Sequence, residues 1–218
     1  MLSEKNNYLE SYETISHLYA SINNSTEKFM QLMQDKPSEI CFVGNSPCEL
    51  GEENGQAIDA FEYVIRFNKY DVSYPYIKDY GKKCNIWVRT PKNTMGLSPE
   101  VLDRYSFVLI SGSNWLSRMS DGVETFNQLV STYNDVCVIP FNVYSKLVRV
   151  LGALPSAGLQ ILYWFYTVNG PVPKNQVYGF SLSDQLQGKN LSYYSSTKEN
   201  VRHDWQKERS VFDQIIQH

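Results

Sequence analysis

His203 is the residue best placed for proton transfer in this chain of 218 residues, because the other two histidines, His17 and His218, lie at its extremities. It opens the run His203-Asp204-Trp205-Gln206-Lys207-Glu208. An imidazole titrates near neutrality, which suits general acid–base work. If Asp204 caps a helix, His203 sits at that helix's positive end, which favours the neutral, basic ring; Glu208 pushes the other way. A surface histidine beside a helix cap is the plainer alternative. Three further segments carry polar groups where chemistry could occur. Val43-Gly44-Asn45-Ser46-Pro47 follows an apolar run, so Gly44 would let the backbone approach a ligand while Asn45 offers a donor and an acceptor. Arg66-Phe67-Asn68 ends another such run, with a structural salt bridge as the alternative role for Arg66. Leu154-Pro155-Ser156-Ala157-Gly158 precedes an apolar helical stretch, where unpaired N–H groups could hold a carboxylate or phosphate. An ordinary turn at Gly44 and a plain N-cap at Ser156 are the alternatives there.

Several other chemistries are excluded. Gly44 and Gly51 lack the GxGxxG spacing of a dinucleotide site, and no Gly-Lys-Ser/Thr follows to make a P-loop. No Asp-x-Asp pair occurs, so the usual carboxylates of a metal-dependent nucleotide-sugar site are missing and no metal is expected. The four cysteines, 41, 48, 84 and 137, form no CxxC pair; Cys41 and Cys137 fall in apolar runs and read as buried thiols. With 20 basic against 23 acidic residues, the formal charge of −3 argues against nucleic acid and against a polybasic membrane patch. No apolar run reaches spanning length, and the opening Met1-Leu2-Ser3-Glu4-Lys5 is no signal peptide. Sixteen Tyr and four Trp suit a cleft that stacks flat polar ligands.

The elements that must position these groups follow from periodicity. Residues 1–37 read as a helical appendage of two helices, parted at 22–27 with Ser25 or Thr26 as N-cap. Residues 38–218 read as one α/β domain. Strands are expected at 39–43, 63–68, 84–89, 106–111, 135–139 and 176–180, and helices at 99–104, 122–133, 142–151, 156–168 and 204–216, the first opened by Ser98-Pro99. Short apolar strands alternating with helices imply a mainly parallel sheet covered on both faces, with ligands beyond the carboxyl ends of its strands.

Taken together, the segments resemble the sialyltransferase family typified by animal Golgi enzymes. The stretch from Cys41-Phe42-Val43-Gly44-Asn45-Ser46 through Val64-Ile65-Arg66-Phe67-Asn68 is similar to the large sialylmotif. Pro155-Ser156-Ala157-Gly158-Leu159 through Val177-Tyr178-Gly179-Phe180 is similar to the small one, and His203 with Glu208 to the very small one. The resemblance implies a Rossmann-like, GT-A-like sheet and an inverting transferase. Its donor would be CMP-sialic acid or a related CMP-nonulosonic acid, its acceptor a glycan, with no cofactor beyond the donor. By carry-over, Asn45 and Asn68, in the turns of Gly44-Asn45-Ser46 and Phe67-Asn68, would contact the nucleotide and phosphate. Ser156, Ala157 and Gly158 would meet the donor carboxylate through N–H groups. Gly179 and Phe180 would line the cytidine side, and His203, with Glu208, would be the general base.

Three departures shape the expectation. Ser192 stands where the family places a His near the leaving phosphate, so the hydroxyls of Tyr193 or Tyr194 are expected to donate there instead. The small motif has no Cys for the inter-motif disulfide of the animal enzymes, and no membrane anchor is present in the sequence. The last two imply a bacterial, cytoplasmic enzyme, or one peripheral at the inner membrane, that decorates lipopolysaccharide, capsule or a lipid-linked glycan. A trimmed luminal Golgi-type domain is the alternative. A CMP-Kdo transferase on the same scaffold, or an inactive nucleotide-sugar-binding protein, are the competing functions.

Overall fold

The computed structural model describes residues 2–91, 105–112, 121–181, 192–194 and 203–217, with side chains from residue 13 onward. Mostly apolar runs of four or five residues that cannot leave both faces in water make the centre of the molecule. These are β1 (Ile40–Val43), β2 (Tyr63–Phe67), β3 (Ile86–Arg89) and β4 (Phe107–Ile110), joined by the shorter β5 (Val136–Val138) and, after a two-residue β6 (Val172–Pro173), by β7 (Val177–Tyr178). Every pairing in this sheet is parallel, in the order β5-β4-β3-β2-β1-β7. The α/β, Rossmann-like class expected from the sequence is the one observed.

Side chains alternate between the faces, as a pleat requires. Ile40, Phe42, Ile65, Phe67, Ile86, Val88 and Leu109 enter one core with the helices α5 (Phe141–Leu151), α6 (Ala157–Asn169) and α7 (Trp205–Ile215). Cys41, Val43, Val64, Trp87, Val108 and Ile110 face the opposite side. There they meet α2 (Gly55–Ala60), α3 (Ile77–Tyr80) and α4 (Gly122–Thr132). The second core splits in two, with tyrosines 70, 105 and 133 around Trp87 and tyrosines 80 and 193 beside Val43. A last two-residue strand, β8 (Ile216–Gln217), pairs with β6 outside the main sheet.

The N-terminal region differs from expectation. It is one helix, α1 (Leu2–Asp35), with no break at 22–27. Ser25 and Thr26 do not cap a second helix; they serve the edge strand β5 instead. Ser25 Oγ donates to Asp135 at 2.8 Å, and Thr26 Oγ1 accepts from the Val138 N–H at 3.3 Å while donating to the Ile22 carbonyl. The Cys137 thiol reaches the Ser25 carbonyl at 3.1 Å. An edge strand otherwise presents unpaired backbone groups, and α1 covers this one. Leu18 and Ile22 join one core and Phe29 and Met33 the other, so the segment read as an appendage packs around the rim of the sheet. The strand expected over 176–180 is shorter, because Lys174–Gln176 form a 3₁₀ turn and Gly179 takes φ +69°. Helices α2 and α3, too short to show a period, were not expected. The helix at 99–104 with Ser98-Pro99 lies outside the described residues.

Candidate active site

The sequence climbs the sheet in one direction, β1 to β5, and then returns to lay β7 against the other side of β1. The carboxyl ends of β1 and β7 therefore form the switch point at which open parallel sheets hold ligands. Here the backbones of Gly44 and Gly179 touch. A Cβ on Gly44 would stand 2.3 Å from the Gly179 carbonyl oxygen, and one on Gly179 would stand 2.4 Å from that of Gly44. Gly44 N–H donates to Tyr178 at 2.8 Å, and Ser46 N–H to Gly179 at 2.9 Å. Phe180 then wedges between Gly44 and α6, where a Cβ on Gly158 would meet its ring at 2.5 Å. Phe180 also packs edge-on to Phe67 and stacks on Phe212. Gly44, Gly158, Gly179 and Phe180, spread over 136 residues of sequence, thus lie within one ring's width of each other.

The first turn of α6 adjoins this junction. Ser156 caps it, its Oγ accepting from Leu159 N–H at 3.2 Å, as the sequence suggested. Its own N–H is not left for a ligand: it donates to Glu208 Oε1 at 2.7 Å, while Ser156 Oγ donates to Glu208 Oε2 at 2.6 Å. The Ser156 N–H, expected to meet a donor carboxylate, is held in this structure by the protein's own carboxylate. Ala157 and Gly158 follow in the first turn, where a helix offers its N–H groups no internal acceptor.

Glu208 is fully buried, and burial raises its carboxyl above the ordinary glutamate value, outweighing the lowering by the two Ser156 donors and by His203. The His203 Nδ1 lies 2.7 Å from the Leu154 carbonyl oxygen and 3.6 Å from Glu208 Oε1. A carbonyl can only accept, so the Nδ1 carries the proton and Nε2 the lone pair. Asp204 caps α7 by accepting from Lys207 N–H at 3.1 Å, and that bond holds its carboxyl below the usual value. The ring of His203 leans on Trp205 at 5.1 Å. A base with a set tautomer beside a helix N-terminus can take a proton while an anion is held next to it.

The remaining expected residues divide between binding surface and scaffold. Asn45 Nδ2 donates to the carbonyls of Phe67 at 2.9 Å and Lys69 at 3.0 Å, so it ties the β1 turn to the end of β2. Asn68 takes φ +51°, uses its N–H on Val88 and its carbonyl on the Trp87 indole, and keeps its side-chain amide free of protein partners among the described residues. Ser46 Oγ donates to Ser181 Oγ at 2.7 Å. The hydroxyl protons of Tyr193 and Tyr194, expected to meet a phosphate, go to backbone carbonyls in this structure. Tyr193 donates its hydroxyl to Asp71 O at 2.6 Å and accepts from Asp71 N–H, and Tyr194 donates its own to the Lys69 carbonyl. Tyr193 is buried, stacked at 3.9 Å on Tyr80, and raised to about 12 by desolvation. Its N–H reaches Asn45 O at 2.9 Å, which fastens residues 192–194 to the glycine turn.

Arg66 is likewise scaffold. Its buried guanidinium donates to the carbonyls of Lys83, Tyr80 and Gly81, with no carboxylate partner among the described residues. Two residues that sequence reasoning missed complete the site's frame: Tyr80, whose hydroxyl donates to Ser46 O at 2.6 Å, and Glu49, which accepts the Gly179 N–H at 2.9 Å. Tyr80 lies outside the stretches quoted from the sequence and Glu49 lies inside the first without a role there; their partners are 34 and 130 residues away.

An all-parallel sheet with a glycine junction at its switch point and a histidine beside a buried glutamate makes up the candidate site. The chain belongs to glycosyltransferase family 29, the sialyltransferases, whose model matches residues 2–148. It is a glycosyltransferase of that type. The matched span holds Gly44, Asn45, Ser46 and Asn68 and ends before Ser156, Gly179 and His203. Among solved structures, the fold is similar to that of a mammalian sialyltransferase in complex with Gal-beta-1-3GalNAc-ortho-nitrophenol, at a TM-score of 0.53 and 16% identity over 94% of this chain and 81% of that one. A second mammalian sialyltransferase structure aligns with a TM-score of 0.52 and 15% identity, over 94% and 80% of the two chains. No curated protein matches the sequence. Among the described residues, no helix is long and apolar enough to cross a membrane.

Proposed function

We propose that the chain moves sialic acid from CMP-sialic acid to a hydroxyl of an acceptor glycan, with inversion and without a metal ion. The observation that carries this reading is His203, its Nδ1 donating to the Leu154 carbonyl and its Nε2 without a hydrogen bond among the described residues, next to the first turn of α6. In the displacement, Nε2 takes the acceptor hydroxyl's proton while its oxygen bonds to the anomeric carbon. The bond from that carbon to the phosphate oxygen breaks, and CMP departs with the electron pair. Imidazolium formed at His203 would lie with its Nδ1 3.6 Å from the buried Glu208 carboxylate. The N–H groups of Ala157 and Gly158 are suited to the donor's carboxylate, and the free Asn68 amide to the nucleotide. Gly179 and Phe180 give that nucleotide a close, apolar wall. The absence of any Asp-x-Asp pair in the sequence supports metal independence.

Transfer from CMP-sialic acid, with CMP-Kdo in parallel, onto a panel of lipooligosaccharide, capsule and lipid-linked acceptors tests the reading. Turnover should persist in EDTA, and His203→Ala should lose kcat by about 10²–10⁴-fold with CMP still bound. Activity abolished by EDTA and restored by magnesium would end the metal-free mechanism. A folded His203→Ala enzyme with near-wild-type kcat would end the base assignment.

A further inference from the structure

The junction of β1 and β7 is gripped by a carboxylate that was not among the residues singled out from the sequence. Glu49 sits at the end of the 3₁₀ turn Pro47–Glu49, five residues beyond Gly44. Its Oε1 accepts the Gly179 N–H at 2.9 Å, and its Oε2 accepts from Asn54 Nδ2 at 2.9 Å at the start of α2. The Glu49 N–H in turn points to the Tyr80 hydroxyl at 3.3 Å, and that hydroxyl donates to Ser46 O. The Gly179 peptide is thus held on both sides, its N–H by Glu49 and its carbonyl by Ser46 N–H.

We propose that Glu49 is a positioning residue for the donor, setting the spacing between the Gly44 turn and the Gly179 turn; this rests on those turns forming the CMP site. Two backbone segments 135 residues apart have no covalent reason to stay in contact. A hydrogen bond from an N–H to a carboxylate is stronger than one to a neutral acceptor, and both Glu49 oxygens are engaged, so the side chain is fixed before a ligand arrives. A carboxylate is otherwise an unfavourable choice beside a doubly negative donor. Its use here makes sense as a clamp on Gly179 rather than as a ligand contact. Glu49→Ala leaves the buried Gly179 N–H without an acceptor and frees the two turns to drift apart.

The test is CMP titration by calorimetry together with donor kinetics, on wild type, Glu49→Ala, Glu49→Gln and Asn54→Ala. Glu49→Ala should weaken CMP binding and raise the donor KM by about 5–100-fold, the range left by one unpaired buried donor, with kcat at saturating donor within about twofold. Glu49→Gln keeps an acceptor for Gly179 and should bind CMP within about threefold of wild type. Asn54→Ala removes only the second tether and should fall between, which keeps the assignment open to refutation if Glu49→Ala does not fold. A folded Glu49→Ala or Asn54→Ala protein with unchanged CMP affinity overturns the positioning role and leaves the transferase reading intact. Loss of kcat equal to the change in KM, or a glutamine variant as weak as alanine, also overturns it. Wild type that binds no CMP removes the transferase reading itself, and this role with it.

Discussion

Glu208 offers the sharpest link between a buried charge and the shape of the site. Glu208→Ala would strip two donors, the Ser156 N–H and Oγ–H, of an acceptor that now lies 2.7 and 2.6 Å away. Each hydrogen bond to a charged group contributes about 1.5–3 kcal/mol, set against a desolvation cost of several kcal/mol for the buried ion. The expected net loss is about 2–4 kcal/mol, or about 4–16 °C in Tm for a domain of this size. Glu208→Gln separates charge from shape. Burial raises the Glu208 carboxyl in the folded chain, so the folded protein holds that proton more tightly than the unfolded one. Its contribution to stability is then full below the unfolded value and lost as pH rises through the folded one. The glutamine variant has no such titration. Thermal melts of both proteins across pH 4–8 should therefore show the variant gaining on wild type as pH rises above the ordinary glutamate value of 4.5. Parallel Tm profiles for the two, or a folded Glu208→Ala protein melting within about 1 °C of wild type, would refute this reasoning.

Three further outcomes are expected. Gly44→Ala forces a Cβ to 2.3 Å from a backbone carbonyl and should cost about 2–4 kcal/mol in denaturant melts while abolishing measurable CMP binding. Tyr193→Phe should lose about 1 kcal/mol of stability, from its bonds to Asp71, yet leave CMP affinity nearly unchanged; a tenfold weaker titration would show that the hydroxyl reads the phosphate after all. Phe29→Ala should destabilise by about 3–5 kcal/mol, because the ring is fully buried between Phe107 and Trp164, and a drop below 1 kcal/mol would contradict the packing of α1 against the sheet.

The sheet was legible because its strands are short apolar runs buried on both faces, and a run such as Ile40-Cys41-Phe42-Val43 has no other stable use in a chain this size. The long helices α4 to α7 announced themselves by period and by caps, with Ser156 and Asp204 doing what their residue types suggest. What misled was polarity with a distant partner. Ser25 and Thr26 look like a helix start, yet their hydroxyls answer Asp135 and Val138 on the edge strand, a need that no local window displays. The same holds for Tyr193 and Tyr194, whose residue type fits a phosphate but whose protons go to Asp71 and Lys69. Ser156 was placed correctly and given the wrong partner, since its N–H meets a carboxylate 52 residues on. The elements that carry these residues could be read from spacing, whereas the direction of each hydrogen bond is a tertiary fact.

The Ser156–Glu208 bond also joins two separable parts of the molecule. All strands of the main sheet lie before residue 179, so a chain cut before α7 keeps every one of them. The start of α6 then has no acceptor for Ser156, and His203 has no Leu154 carbonyl to turn towards. Such a chain keeps the strands and loses the contacts that set Ser156 and His203 in place. A chain truncated before Glu208 should be protected from proteolysis across its strands and fail to turn over donor.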